Sequence, residues 1–267
     1  MLVAIVFACL YGLIFGSFAN AVAYRVPTGE TLWSRSHCPK CDSMITAGQN
    51  IPVFSWLFLR GKCANCKNSI SVQYPLIELV TSILFGAVAW SILNMNFEII
   101  PSVILIIILC YFVFIGVVLS IIDQKTMLLP KKLIYPTLFI CLIGLSVVAV
   151  LLNDYSRILW MIVGGIASFI IFFLIWYFFP KGMGYGDVRL VLLTGSILGW
   201  LSIGHIVLGL TLPFIILSII LLPLMIAKVV GRKTKVPLGP WIILGAIVSI
   251  IFGDIIINSY LSLGGFL

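Results

Sequence analysis

Two acidic residues stand where acids are expensive. Asp123 closes an apolar run in SIIDQKTMLLP, and Asp187 opens another in GMGYGDVRL. Ionisable groups in or beside lipid-buried segments are costly and point to function. Two carboxylates that meet share a proton. One takes a proton from water as a general base, and the other donates a hydrogen bond to a carbonyl oxygen. That chemistry hydrolyses a peptide bond without a metal. Each residue also has an ordinary alternative: Asp187 as a helix N-cap, Asp123 as a solvated interfacial residue. Gly182, Gly184 and Gly186 crowd in front of Asp187. Lacking Cβ atoms, they permit positive φ and close approach of a substrate backbone, so they are candidate substrate-loop residues.

A second constellation is made of sulfur. CPKC (Cys38, Cys41) and CANC (Cys63, Cys66) are separated by 21 residues. Two such knuckles bring four thiolates within reach of a tetrahedral zinc. Two disulfides are the alternative, disfavoured in the reducing cytoplasm. A loop of about 50 residues also has too little core of its own and needs a staple. Four thiolates leave no open coordination position, so the metal is structural and the adjacent His37 is a bystander. Cys9, Cys110 and Cys141 lie inside apolar runs and read as small packing residues.

The elements that must position these groups follow from composition. Hydrophobic residues make up 62% of the 267 and charged residues 9%, against about a quarter charged in soluble domains. The apolar runs are continuous, which excludes the alternating pattern of a membrane β-barrel. The fold class is therefore an all-α membrane protein. Eight stretches come near the ~20 apolar residues a span requires: 1–24, 76–93, 99–122, 133–152, 158–179, 188–202, 206–227 and 236–257. The sixth is short or tilted, and Pro213 and Pro223 interrupt the seventh. The first has no basic residue before its apolar run, so it reads as a retained span rather than a signal peptide, with the N-terminus outside. The positive-inside rule then puts 25–75, 123–132, 180–187 and 228–235 in the cytoplasm, with every Lys and Arg except Arg157 in or beside them. The net charge of +8 reads as membrane topology and not as nucleic-acid binding. Three parts result: a first transmembrane helix (1–24), a cytoplasmic CxxC…CxxC insert (25–75), and a transmembrane catalytic bundle (76–267). Asp123 and Asp187 fall at the same cytoplasmic edge. No internal repeat is visible.

Several motifs in order resemble one family. GSFANAVAYRVP (16–27), CPKC, NIPVFSWLFLRGKCANCKNSISVQYPLIE (50–78), DQKTMLLP (123–130), GMGYGDVRL (182–190) and PLGP (237–240) are similar to the type IV prepilin leader peptidases, bacterial GxGD-type membrane aspartyl proteases. Lys131, Arg189, Leu238 and Gln49 depart from the family's usual residues. The resemblance implies a bacterial inner-membrane endopeptidase whose catalytic pair is Asp123 and Asp187. Its substrates would be prepilins or pseudopilins, cut after a glycine at the start of their apolar helix. It further implies N-methylation of the new N-terminus with S-adenosylmethionine, an activity typical of members with the four-cysteine insert. Glu78, after YPLI, is a candidate for binding the positive leader or the methyl donor, and otherwise an interfacial ion-pair partner. Competing readings are a transporter or channel with a zinc-stapled loop, which would set its carboxylates near the bilayer midplane, and a GxGD peptidase acting on other signal peptides.

Overall fold

The structure, a computed structural model, describes residues 1–32, 34–180, 182–229, 231 and 236–263. The described residues form nine α-helices and no strand. In chain order these are α1 (Leu2–Thr28), α2 (Phe54–Phe58), α3 (Gln73–Leu93), α4 (Ile99–Thr126), α5 (Lys131–Leu151), α6 (Ser156–Phe178), α7 (Tyr185–Leu201), α8 (Ile203–Ile226) and α9 (Gly239–Leu263). Seven are long and apolar enough to cross a membrane: α1, α3, α4, α5, α6, α8 and α9. The sixth expected span, 188–202, is α7, with only 17 residues. Both prolines of the seventh expected span lie inside α8. Part of the basic 228–235 segment, and Lys181 beside the glycine loop, fall outside the described residues.

Helix pairing follows the physics of lipid. Apolar side chains gain little by leaving acyl chains for one another, so helices associate where small residues let backbones touch. Gly12 and Gly16 do this for α1 and α3: a Cβ on either would lie 2.6 Å from Ser82 Cα and 2.7 Å from Glu78 Cα, respectively. Position 12 faces 82 and position 16 faces 78, so the two helices run antiparallel. The Ser82 hydroxyl adds a 2.9 Å bond to the Cys9 carbonyl. In α6 and α7 the same work falls to Gly164, Gly195 and Ser168. Across the bundle, Trp200 Nε1 donates to the Leu145 carbonyl at 2.9 Å and fastens α7 to α5. Ser91 of α3 bonds the Ile250 carbonyl of α9 at 3.1 Å. The centre is α4, whose Leu105, Leu109, Phe112, Val113, Val118, Leu119 and Ile122 are all buried. These pairings gather the last turn of α4 and the first turns of α7 and α9 at one end of the bundle.

The insert between α1 and α3 is short-range structure. Gly29 ends α1 in the left-handed conformation (φ 76, ψ 12), its N–H bonded to the Arg25 carbonyl, a standard glycine helix stop. Beyond it come a single 3-10 turn (Ala47–Asn50), α2, and two tight cysteine turns.

Candidate active site

Asp123 lies in the last turn of α4. The helix closes at Met127 in the left-handed region (φ 53), whose N–H bonds the Asp123 carbonyl. The Asp123 side chain is buried, and its Oδ2 accepts the Gly239 N–H at 3.0 Å. Gly239 opens α9, so this N–H is one of the donors that a helix start leaves unpaired. A Cβ at Gly239 would sit 2.7 Å from Asp123 Oδ2. Only glycine lets that backbone come so close to the carboxylate.

Asp187 is the third residue of α7 and is also buried. Its Oδ2 accepts the Gly184 N–H at 3.1 Å, the reach-back half of a capping box. Capping and catalysis are therefore not exclusive here, since one oxygen serves the helix and the other remains. Oδ1 of neither aspartate engages another described residue. Leu129, in the turn after α4, joins the two halves. A Cβ at Gly186 would lie 3.0 Å from Leu129 Cβ, and one at Gly239 would lie 3.2 Å from Leu129 Cδ2. One leucine thus touches the neighbour of Asp187 and the donor to Asp123.

The loop glycines behave differently from expectation. None of Gly182, Gly184 and Gly186 has positive φ, and Gly184 is extended at φ −78 and ψ 148. Bulk is what matters at Gly186, where a side chain would press on Leu129; Gly182 and Gly184 have no tight neighbour. Tyr185, within the same motif, is held between Trp176 (5.0 Å between rings) and the Arg189 guanidinium (4.5 Å). Gly239 and Leu129 lie within PLGP and DQKTMLLP, and nothing in either stretch by itself marks them as neighbours of the two aspartates.

The four cysteines converge. All four are free thiols, and their Sγ atoms lie within 4.8 Å of one another. Cys38 and Cys66 Sγ are 3.9 Å apart, against ~3.8 Å between sulfurs of a tetrahedron with 2.3 Å zinc–sulfur bonds. The set fits a metal ion. Hydrogen bonds from the Ser43 side chain and backbone pull the Cys41 thiol down to about 6, toward the thiolate that a metal needs. The knuckles are copies of each other. In both, the first cysteine's N–H bonds a carbonyl five residues on (Cys38 to Ser43, Cys63 to Asn68). In both, the residue after the second cysteine has positive φ (Asp42, 53; Lys67, 59). His37 pairs with Met44 as Lys62 pairs with Ser69.

Glu78 is buried near the start of α3. It makes no ion pair among the described residues. Its Oε2 accepts the Val53 N–H at 2.6 Å.

Residues 10–92 match the bacterial peptidase A24 N-terminal domain, and residues 110–227 match the type IV leader peptidase family. The prepilin leader peptidase/N-methyltransferase of Pectobacterium carotovorum subsp. carotovorum is 34% identical over 90% of this chain and 90% of its own length. The chain belongs to the type IV leader peptidase family. Proteins of the same name from Stutzerimonas stutzeri (32% identical; 95% of this chain, 92% of the relative) and Neisseria gonorrhoeae (33%; 87% and 84%) are also similar. No solved structure matches. As a type IV leader peptidase family member with seven long apolar helices, the chain is a multi-pass inner-membrane protein. The N-terminal match holds the four cysteines and Glu78, and the second holds both aspartates and the glycine loop. Gly239 lies beyond both.

Proposed function

We propose that this protein is a prepilin leader peptidase and N-methyltransferase. It removes the basic leader of prepilins and pseudopilins after a glycine at the cytoplasmic edge of the inner membrane, and then methylates the new N-terminus. The observation that carries the reading is the pair of buried carboxylates, Asp123 and Asp187, each tied through Oδ2 to a backbone N–H of a glycine. Each Oδ1 is left to act on a water and on the scissile carbonyl.

The chemistry follows from sharing one proton. Two carboxylates that share one site do not both ionise freely. The ionised one takes a proton from water, whose oxygen attacks the carbonyl carbon. The protonated one hydrogen-bonds the carbonyl oxygen as it gains charge. Collapse of the tetrahedral intermediate breaks the C–N bond, and the proton passes to the leaving amine. Backbone donors cost nothing to reorganise, so Gly239 and Gly184 hold both acids in place through the cycle.

The bundle end that carries the aspartates also carries the insert. The N-terminus then lies outside, the boundaries 1–24, 25–75 and 76–267 separate anchor, insert and catalytic bundle, and the lysines and arginines other than Arg157 face the cytoplasm. Zinc is the metal that suits four thiolates; held by Cys38, Cys41, Cys63 and Cys66, it would fix the insert's shape. S-adenosylmethionine is the methyl donor implied by the relatives' name.

The test is processing of a prepilin, with a basic leader ending in glycine, by the purified protein in detergent or lipid. A shortened product that disappears with Asp123→Asn and with Asp187→Asn supports the pair. Full cleavage by either variant refutes it. The mass of the product, with the methyl donor present, reports methylation.

A further inference from the structure

Val53 is the one described residue of the insert that is both β-branched and at positive φ. Its φ of 63 and ψ of −51 place it outside the left-handed helical basin, and Phe54 N–H bonds the Pro52 carbonyl at 2.6 Å. This is a γ-turn of the rarer, strained hand, at a side chain poorly suited to it. Such a conformation persists only where its surroundings hold it. Here the restraint is visible: the Val53 N–H donates to Glu78 Oε2 at 2.6 Å.

That carboxylate is built into the bundle. There α1 meets α3 at Gly16, where a Cβ would lie 2.7 Å from Glu78 Cα. One turn along, Asn20 Nδ2 reaches the Tyr74 carbonyl at 3.4 Å. On the other side, the γ-turn leads straight into α2. There Trp56 Nε1 donates to the Ile70 carbonyl at 3.1 Å, just past the second cysteine knuckle, and the Trp56 carbonyl accepts the Gly61 N–H. A chain of direct bonds therefore runs from the α1–α3 seam through Glu78 and Val53 to the metal-knuckle unit.

We propose that Glu78 is a positioning residue: it clamps the strained Val53 turn and so sets the cysteine insert on the membrane bundle in the pose needed for methyl transfer, without taking part in peptide cleavage. The methyl-transfer half rests on the function proposed above. The clamp needs an acceptor oxygen and not a negative charge, which separates it from a role in binding a cationic leader or donor.

The experiment compares wild type, Glu78→Gln, Glu78→Ala, Val53→Gly and the double variant Glu78→Ala/Val53→Gly, purified in detergent. Each is given a prepilin substrate and S-adenosylmethionine, and cleavage, methylation, zinc content and trypsin nicking of the insert are measured. Removing a hydrogen bond to a carboxylate is expected to slow methylation by at least about tenfold in Glu78→Ala, with zinc retained and cleavage within about twofold of wild type. Glu78→Gln keeps an acceptor and stays near wild type. Glycine adopts positive φ without strain, so Val53→Gly in the double variant restores most of the methylation that Glu78→Ala loses. The proposal is overturned by normal methylation in Glu78→Ala, by equal loss in Glu78→Gln, by parallel loss of cleavage or zinc, or by no recovery in the double variant. If wild type cleaves but never methylates, the methylase reading fails separately. The clamp is then decided by nicking, which must be faster in Glu78→Ala alone among the single Glu78 variants.

Discussion

Replacing Gly239 by alanine perturbs the active site through one methyl group. The added Cβ would stand 2.7 Å from Asp123 Oδ2 and 3.2 Å from Leu129 Cδ2. For an ordinary contact of about 3.4 Å the carboxylate must recede by about 0.7 Å. The Gly239 N–H bond, now 3.0 Å, would then stretch past about 3.6 Å, where it is no longer a hydrogen bond. Leu129 blocks an easy sidestep, because it also packs on Gly186 beside Asp187. Losing a hydrogen bond to a charged group is worth about 1.5–3 kcal/mol. At about 1.4 kcal/mol per factor of ten, kcat/KM for leader cleavage should fall about 10- to 150-fold. A displacement of this size at a reacting group is enough for such a loss. The ~1 kcal/mol by which alanine outranks glycine in a helix interior does not offset the lost bond, so thermal melting should fall slightly while activity drops by far more. The assay is initial-rate cleavage of a prepilin in detergent alongside a melting curve of the same preparation. Activity within about twofold of wild type would refute the argument.

Other consequences can be checked in the same preparations. Cys38→Ser and Cys63→Ser should each strip most of the bound zinc, measured by metal analysis of the purified protein; unchanged zinc would remove the four-thiolate site. Gly61→Ala should loosen the insert by about 1–3 kcal/mol, because position 61 has φ 66 and its Cβ would lie 2.8 Å from the Trp56 ring. Faster trypsin nicking with cleavage activity retained is the expected readout. Asp154, in the loop before α6, is held below the usual carboxylate range by the Ser156 hydroxyl first and by Arg157 second. Its contribution to stability is full above the ordinary carboxyl value of 3.8 and fades as pH falls through the lower folded value. Asp154→Asn should therefore lower the melting temperature slightly at pH 7 and not at strongly acid pH.

Much of this protein is written along the chain. Span number and length are legible because a lipid core demands uninterrupted apolar runs, and even the short seventh helix showed as a brief one. The cysteine cluster was legible from CxxC spacing alone, since two knuckles can bring sulfurs together whatever lies between. The knuckles' shared turn was not recognised as a repeat, because its unit is a hydrogen-bond pattern and its intervening residues differ, PK against AN. Asp123 and Asp187 were legible as charges at the ends of apolar runs.

What the chain could not display were the contacts among residues far apart in it. Gly239 looks like any helix-opening glycine until α9 is packed beside α4, and Leu129 looks like any leucine until it bridges two motifs. Glu78 suggested an ion pair or a ligand, and nothing local announced that packing brings it a backbone N–H from the insert. The three loop glycines suggested unusual backbone angles, and the fold asked for small size at one of them. Composition and periodicity report the solvent each segment must face, which is a local property. Which donor meets which carboxylate depends on helix pairings set by close backbone approach, and those belong to the tertiary structure.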